Sequence, residues 1–466
     1  MNLNKNFFRI KPIEVLIEEG NESNFKRTLD VKQLIFLGIG ATVGAGIFVI
    51  TGKAASLYAG AAIPISFMIS GATCICAGFC YAEFASLIPI SGSSYVYIYA
   101  IFGELPAWII GILVLFANTL SVAIVSKGWA SYILSLVNVE NSGNIDSFLS
   151  CFILFIVAFI LCLDVSVSSK LNFVAVIIKM TSLIVFIVVC FGKIDIKNFT
   201  PFFTSFTSEG KIGGFSGIFD GAALVFMAFT GFEAIATAAQ EAKNPRKDIP
   251  ISMTLSILIC MTLYILVSTT LVGVVHFTNL NVMNPIAVAM NKINLPWLSV
   301  IIKISSVSAL TSVILVIMYS LTRITYCLAK DSFLPSFLLT IHEKYKTPYV
   351  ITVFYFLLIT FIVFFIPLDK LNQLANFCHL MNFLIVCIGI LYINYKREDL
   401  KKKSIFSCPF KPWVPIFGIS FISYLLFRLF FSIYIYIIVF FFLFLIFYFF
   451  YSKKNIEKSN NKWLII

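Results

Sequence analysis

Charge is scarce in this chain, and that scarcity excludes most of what a chain of this length could be. Only 12% of its residues are charged while 60% are hydrophobic. A soluble domain cannot cover its surface on that balance. Histidine is rarer still, with three residues, too few for a His-rich metal centre. The eleven cysteines contain no CxxC spacing, and Cys74, Cys76 and Cys80 fall on one predicted helix. They read as small buried hydrophobes, not as a disulfide frame. No Ser-His, Cys-His or paired-carboxylate constellation stands out, so an enzyme is not expected, and neither is a metal or a cofactor.

What is present is apolar sequence in long runs. About 20 residues cross a bilayer, and about twelve runs of that size are predicted, starting near Leu34, Ala61, Leu105, Ser147, Leu171, Phe215, Ile251, Pro296, Pro348, Asn372, Trp413 and Tyr434. The polar first 32 residues do not resemble a cleavable signal peptide, so the first span is expected to act as the anchor. The net charge of +12 invites a nucleic-acid reading, which the positions of the charges oppose. With both termini cytoplasmic, Lys and Arg collect in the inside segments, twenty-three against six outside. That is the positive-inside pattern of a multi-pass protein of the cell membrane. The basic charge is topology.

Two of the runs are broken at their centres. The first reads Gly38-Ile39-Gly40-Ala41-Thr42-Val43-Gly44-Ala45-Gly46, and the second Met227-Ala228-Phe229-Thr230-Gly231-Phe232-Glu233. Freed backbone groups survive in a membrane only where they line a cavity or bind something, and paired interruptions in corresponding places mark a transporter's midplane site. Amide groups at the start of a half-helix suit a carboxylate, while exposed carbonyls suit an ammonium, so the pair fits the backbone of an amino acid. The alternative is close helix packing, since Gly40 and Gly44 also form a small-xxx-small pair.

Lys179 stands eight residues into the fifth span, about 12 Å deep at helical rise, beyond easy snorkelling. An ionisable residue at that depth is a functional candidate. It can load and release a proton during transport, or it can be a structural cation bonded to carbonyls of the first span. Glu233, just past the second break, is a candidate gate or second titratable group, whereas Glu83 is expected to order backbone near the cytoplasmic end. Lys127, Lys303, Arg323 and Arg428 are expected at interfaces or loops, and Thr311 and Ser312 could ligate sodium.

Several long motifs occur in order: GIGATVGAGIFVITG (38–52), CYAEFASLIPISGSSYVYIYAIFGELPAWIIG (80–111), GFEAIATAAQEAKNPRKDIPISM (231–253), the run from Arg323 to Pro335, and FSCPFKPWVPIFGI (406–419). With them the chain resembles the amino acid–polyamine–organocation superfamily of permeases, within it the cationic amino acid transporter branch and its bacterial relatives. The resemblance implies a LeuT-like fold. It places the substrate carboxylate near Gly44, Ala45 and Gly46, and the amino group near carbonyls of Ile39, Met227 and Thr230, with Met227 or Phe229 walling the side chain. The full candidate set is then Ile39, Gly40, Thr42, Val43, Gly44, Ala45, Gly46, Met227, Phe229, Thr230 and Gly231. In proton-coupled relatives a lysine matching Lys179 stands in the place of a sodium ion. Where the branch carries acidic residues in the long third span, this chain has Leu113 and Ala117, so a neutral or broad substrate range fits as well as a cationic one.

The expected architecture is an all-α polytopic membrane protein with a LeuT-like 5+5 inverted repeat and two further helices. It comprises a cytoplasmic lead-in (1–32), a first five-helix repeat (33–191), an extracellular loop (192–214) and a second repeat (215–395). A cytoplasmic loop (396–412), two peripheral helices (413–451) and a cytoplasmic tail (452–466) complete it. The expected function is proton-coupled uptake of L-amino acids by alternating access, with the amino acid, the proton and the bilayer as partners and no nucleic acid. An amino acid exchanger using the same site is the alternative, and a non-transporting receptor a further one.

Overall fold

The structure is a computed structural model that describes residues 9–21, 27, 29–139, 144–163, 165–203, 213–343, 345, 347–397, 400 and 404–448. The tail expected over 452–466 lies outside the described residues. Apart from an isolated bridge between Leu29 and Ala242, the described backbone is helical or irregular. After a short α1 (Ile13–Asn21), the first broken helix begins as α2 (Val31–Thr42) and resumes through Gly46–Ile50 and α3 (Thr51–Ala54) to Ala59. Asp30 starts α2 with a reciprocal capping box to Gln33, which satisfies two otherwise orphaned backbone donors. Helices α4 (Ile63–Leu87), α5 (Ser94–Phe102), α6 (Glu104–Val137), α7 (Ile145–Leu163) and α8 (Val165–Phe191) complete the first half.

The second half opens the same way. Helix α9 (Gly214–Val225) breaks through a 3-10 turn at Phe226–Phe229 and resumes as α10 (Ala234–Thr237). Then come α11 (Pro245–Val274), α12 (Pro285–Lys292), α13 (Pro296–Lys330), α14 (Tyr349–Phe365) and α15 (Leu368–Lys396). Proline at the first turns of α4, α11, α12 and α13 costs no helical hydrogen bond there, because those amides have no partner in the helix.

Two spans were expected after residue 413, and one continuous helix is found, α16 (Trp413–Phe447). Beyond Gly418 this segment holds neither glycine nor proline, so nothing punctuates the helix. At 35 residues it is about 52 Å long, more than the roughly 30 Å of a hydrocarbon layer. Among the described residues nine stretches are long and apolar enough to cross a membrane. One of them, Val31–Leu87, contains both the first broken helix and α4, and Tyr349–Phe365 is apolar but shorter.

Helix packing here relies on small residues and hydrogen bonds, since lipid offers no hydrophobic drive between helices. Helices α4 and α11 run along one another with the broken helices beside them, while α6 packs on α13. Ser66 and Ser70 of α4 donate to the carbonyls of Ile218 and Ala222 at 2.8 and 2.7 Å, each such bond being worth about 0.6 kcal/mol in a membrane bundle. The lipid-facing side is aromatic: Phe148, Phe152, Phe155 and Phe159 line one exposed face of α7, at the spacing that places i, i+4 and i+7 together.

The described part of the lead-in packs against the helices. Ile13 and Leu16 of α1 are buried, and the buried Lys11 pairs with Asp331 at 2.7 Å, beyond the end of α13. Leu29 exchanges backbone hydrogen bonds with the segment after α10, its amide to the Glu241 carbonyl and its carbonyl from the Lys243 amide, both 2.9 Å.

Candidate functional site

The two breaks meet at the centre of the molecule. At the first, the Val43 amide closes α2 on the Ile39 carbonyl, and Val43 is then extended (φ −79°, ψ 96°). At the second, Thr230 is extended and Gly231 takes φ +110°, a conformation that glycine adopts without steric cost. A Cβ on Gly231 would stand 2.8 Å from the Ala41 carbonyl oxygen, and one on Gly46 would stand 2.2 Å from the Cα of Ala228. These glycines therefore serve contact between the two interruptions. The substrate-binding candidates from Ile39 to Gly46 and from Met227 to Gly231 are thus brought to one place, and all are buried.

The carbonyls there have partners. Thr230 returns both its amide and its hydroxyl to Met227, at 3.3 and 2.9 Å. The hydroxyl of Tyr264, on α11, lies 3.0 Å from the Thr42 carbonyl and 2.9 Å from that of Ala228. One hydrogen cannot serve both carbonyls fully, so Tyr264 bridges the first break to the second. Phe229 packs against Tyr264 and Phe67, which places an aromatic wall beside the breaks.

Lys179 is fully buried on α8. Its ammonium donates to the carbonyls of Gly40 (2.8 Å) and Val43 (2.9 Å) and to Ser312 Oγ of α13 (3.3 Å). Ser312 in turn donates toward Asn172 Oδ1 at 3.0 Å. A charge this deep is tolerated only with such partners. Thr311, the other sodium candidate, is instead engaged with the Trp129 indole and the Val307 carbonyl.

Glu233 lies on the far side of the second break, buried. Its Oε2 accepts from Tyr81 (3.3 Å) and Asn382 (3.1 Å), and its Oε1 faces His379 Nδ1 at 3.5 Å. A small pocket abuts it, lined among others by Ser93, Asn118, Gly231, Thr237 and Ser320. Glu83 accepts from the Cys408 amide (2.9 Å) and from Lys411, tying the segment before α16 to α4. Lys303 reaches the Ser135 carbonyl at 2.7 Å, near the end of α6. Arg323, expected at an interface or facing a loop, pairs with Glu241 of the segment after α10 at 3.1 Å and is largely shielded by it.

Four further residues at the breaks, Tyr264, Asn172, His379 and Asn382, do not stand out in the sequence. Tyr264 sits in an apolar run where an aromatic reads as packing. The signal that was available lies in α15, where Asn372, Asn376, His379 and Asn382 recur every three or four residues and are all buried, a polar stripe turned inward at membrane depth.

Two helices interrupted face to face, with a buried cation bonded to one of them, stand at the centre of a LeuT-like fold. The fold is shared with MhsT, solved in complex with L-phenylalanine. The two structures superpose with a TM-score of 0.62 at 14% identity, over 88% of this chain and all of that one. Residues 29–466 match the amino acid permease family, and the chain belongs to that family. It is 34% identical to the branched-chain amino acid permease BcaP of Bacillus subtilis, over 91% of this chain and 92% of that protein. It is 32% identical to the methylthioribose transporter of the same organism, with the same two coverages, 91% and 92%. Human cationic amino acid transporter 4 is 30% identical over 84% of this chain and 63% of its own. The family and these relatives are transporters, as the absence of a catalytic constellation in the sequence led us to expect.

Proposed function

We propose that this multi-pass protein carries L-amino acids across the cell membrane together with protons, by alternating access, with both termini on the cytoplasmic side. The observation that carries the reading is the ammonium of Lys179 on the Gly40 and Val43 carbonyls. These carbonyls lie at the unwound end of the first half-helix, where a cation has the most to stabilise. Protonated, Lys179 holds that end against α8 and α13. Deprotonated, it donates fewer bonds and α2 is released, so the position of the break becomes linked to proton binding. The substrate carboxylate meets the backbone of Gly44, Ala45 and Gly46, the amino group meets carbonyls near Ile39, Met227 and Thr230, and Phe229 bounds the side-chain space. The bundle of α2, α4, the α9–α10 helix and α11 rocks against α6, α7, α13 and α14.

A second reading, obligate exchange with Lys179 as a fixed cation, is favoured by the same set of three acceptors, which leaves the ammonium nothing to gain by moving. Proteoliposomes decide between them. Uptake is measured for branched-chain, cationic and aromatic amino acids and for methylthioribose, with and without an inward proton gradient, in wild type and Lys179→Ala. Gradient-driven accumulation of an amino acid that is lost in the variant supports symport. Uptake that ignores the gradient but needs internal amino acid identifies the exchanger. Accumulation of methylthioribose alone sinks the amino acid assignment.

A further inference from the structure

The buried carboxylate of Glu233 has an unusual partner. Its Oε1 and Nδ1 of His379 are both buried, neither makes a hydrogen bond within ordinary geometry, and they face one another at 3.5 Å. His379 is held at its other nitrogen, Nε2, by Ser121 Oγ at 3.1 Å. The Ser121 hydroxyl already donates to the Ala117 carbonyl at 2.9 Å, so Nε2 carries the hydrogen of that contact and Nδ1 is left as a bare lone pair. An ionised Glu233 opposite a neutral His379 would then set two lone pairs against each other and bury an uncompensated charge, which is costly. One proton between Oε1 and Nδ1 removes both faults and makes the pair neutral as a whole.

Among the described residues the surroundings supply no other compensating cation. Helix α4 contributes Tyr81, whose hydroxyl donates to Oε2, and Cys74, whose thiol contacts the Phe229 carbonyl. Helix α5 contributes Tyr97, edge-on to Tyr81. Helix α6 presents the neutral Ser121 and Asn118, and α15 adds Asn382. From α13 comes Ser320, while Arg323 of the same helix is engaged by Glu241. Among the described residues no Lys or Arg contacts Glu233 or His379.

We propose that Glu233 and His379 form a second proton-binding site, separate from Lys179, that holds one proton while the second broken helix is docked on α15 and exchanges it when they part. The elements fit that role. Glu233 lies just past Gly231 at the start of the resumed half-helix α10, while His379 and Asn382 belong to α15. This rests on the alternating-access reading but not on Lys179 being the coupling group.

The test is substrate exchange in proteoliposomes at equal pH on both sides, which needs no proton gradient and so does not depend on the symport result. Wild-type exchange is expected to vary about fivefold or more across a pH series, as linkage to a proton-binding site requires. Glu233→Gln and His379→Gln should each flatten the profile to within about twofold, and the double variant should add nothing further, as expected of one shared site. Variants that keep the wild-type profile, or lower exchange by one factor at every pH, overturn the proposal, and so does a flat wild-type profile. If neither variant elutes as folded protein, Ser121→Ala, which removes the contact at Nε2 from a distance, should displace the profile along the pH axis. An undisplaced profile would then overturn it.

Discussion

Two buried polar clusters flank the paired breaks, and they are built on opposite plans. Around Lys179 every donor direction has an acceptor: two backbone carbonyls and a serine. Around Glu233, Oε2 accepts from two donors while Oε1 and the facing histidine nitrogen lack hydrogen bonds. The first cluster is saturated, so its energy comes from holding α2 where it is. The second is short by one hydrogen, so its energy depends on whether that hydrogen is supplied. A membrane protein can thus place a charge at depth either by surrounding it or by sharing a proton.

The sharpest way to break the comparison is at the saturated side. Lys179→Ala strands the Gly40 and Val43 carbonyls, and each bond to a charged donor is worth about 1.5–3 kcal/mol. Gradient-driven accumulation in vesicles should fall by about 100-fold or more, since about 1.4 kcal/mol is tenfold. If accumulation survives, the first cluster is packing and the contrast dissolves. Gly46→Ala asks whether the breaks must touch. The new methyl has no room beside Ala228, and overpacking of about 1–3 kcal/mol should lower uptake by about tenfold, measured against the amount of folded protein inserted.

Tyr264→Phe sharpens the comparison between the two breaks. It removes the hydroxyl that serves Thr42 and Ala228 and keeps the ring against Phe229. A neutral hydrogen bond of about 0.5–1.5 kcal/mol predicts roughly a threefold to tenfold loss of uptake. A loss in affinity alone, seen by binding to the detergent-purified protein, would make Tyr264 part of the substrate wall and not a tie between helices. The smallest effect is expected at Thr311→Ala. Its hydroxyl is occupied by Trp129 and Val307, away from the Lys179 cluster, so uptake should stay within about twofold and remain indifferent to sodium.

Much of the fold and of the candidate site is legible in the sequence, for one physical reason. Against an apolar background, a glycine-rich interruption or a single lysine is an expensive exception, and expense marks a candidate site. Gly44, Gly46, Gly231 and Lys179 all stand out that way. Tyr264 did not, because a tyrosine among leucines costs little and its importance lies in where its oxygen ends up. His379 and Asn382 carried a signal in their spacing along α15, but the partner they share, Glu233, is some 150 residues distant in sequence. Only the fold brings them together. The single helix α16 was read as two because its length exceeds one span, although nothing in its sequence would turn the chain.

The short backbone bridge between Leu29 and the 241–243 segment has a mechanical meaning. It splices the entry of the first broken helix to the exit of the second, so in the proposed rocking cycle the two half-helices at that end are expected to move as one lever. A pair of spectroscopic probes at exposed positions bordering the bridge, such as Lys32 and Lys243, should therefore keep a fixed separation through the whole cycle. Distances measured from that pair to α6 or α13 would then read the swing of the lever directly, with its own length as the internal ruler.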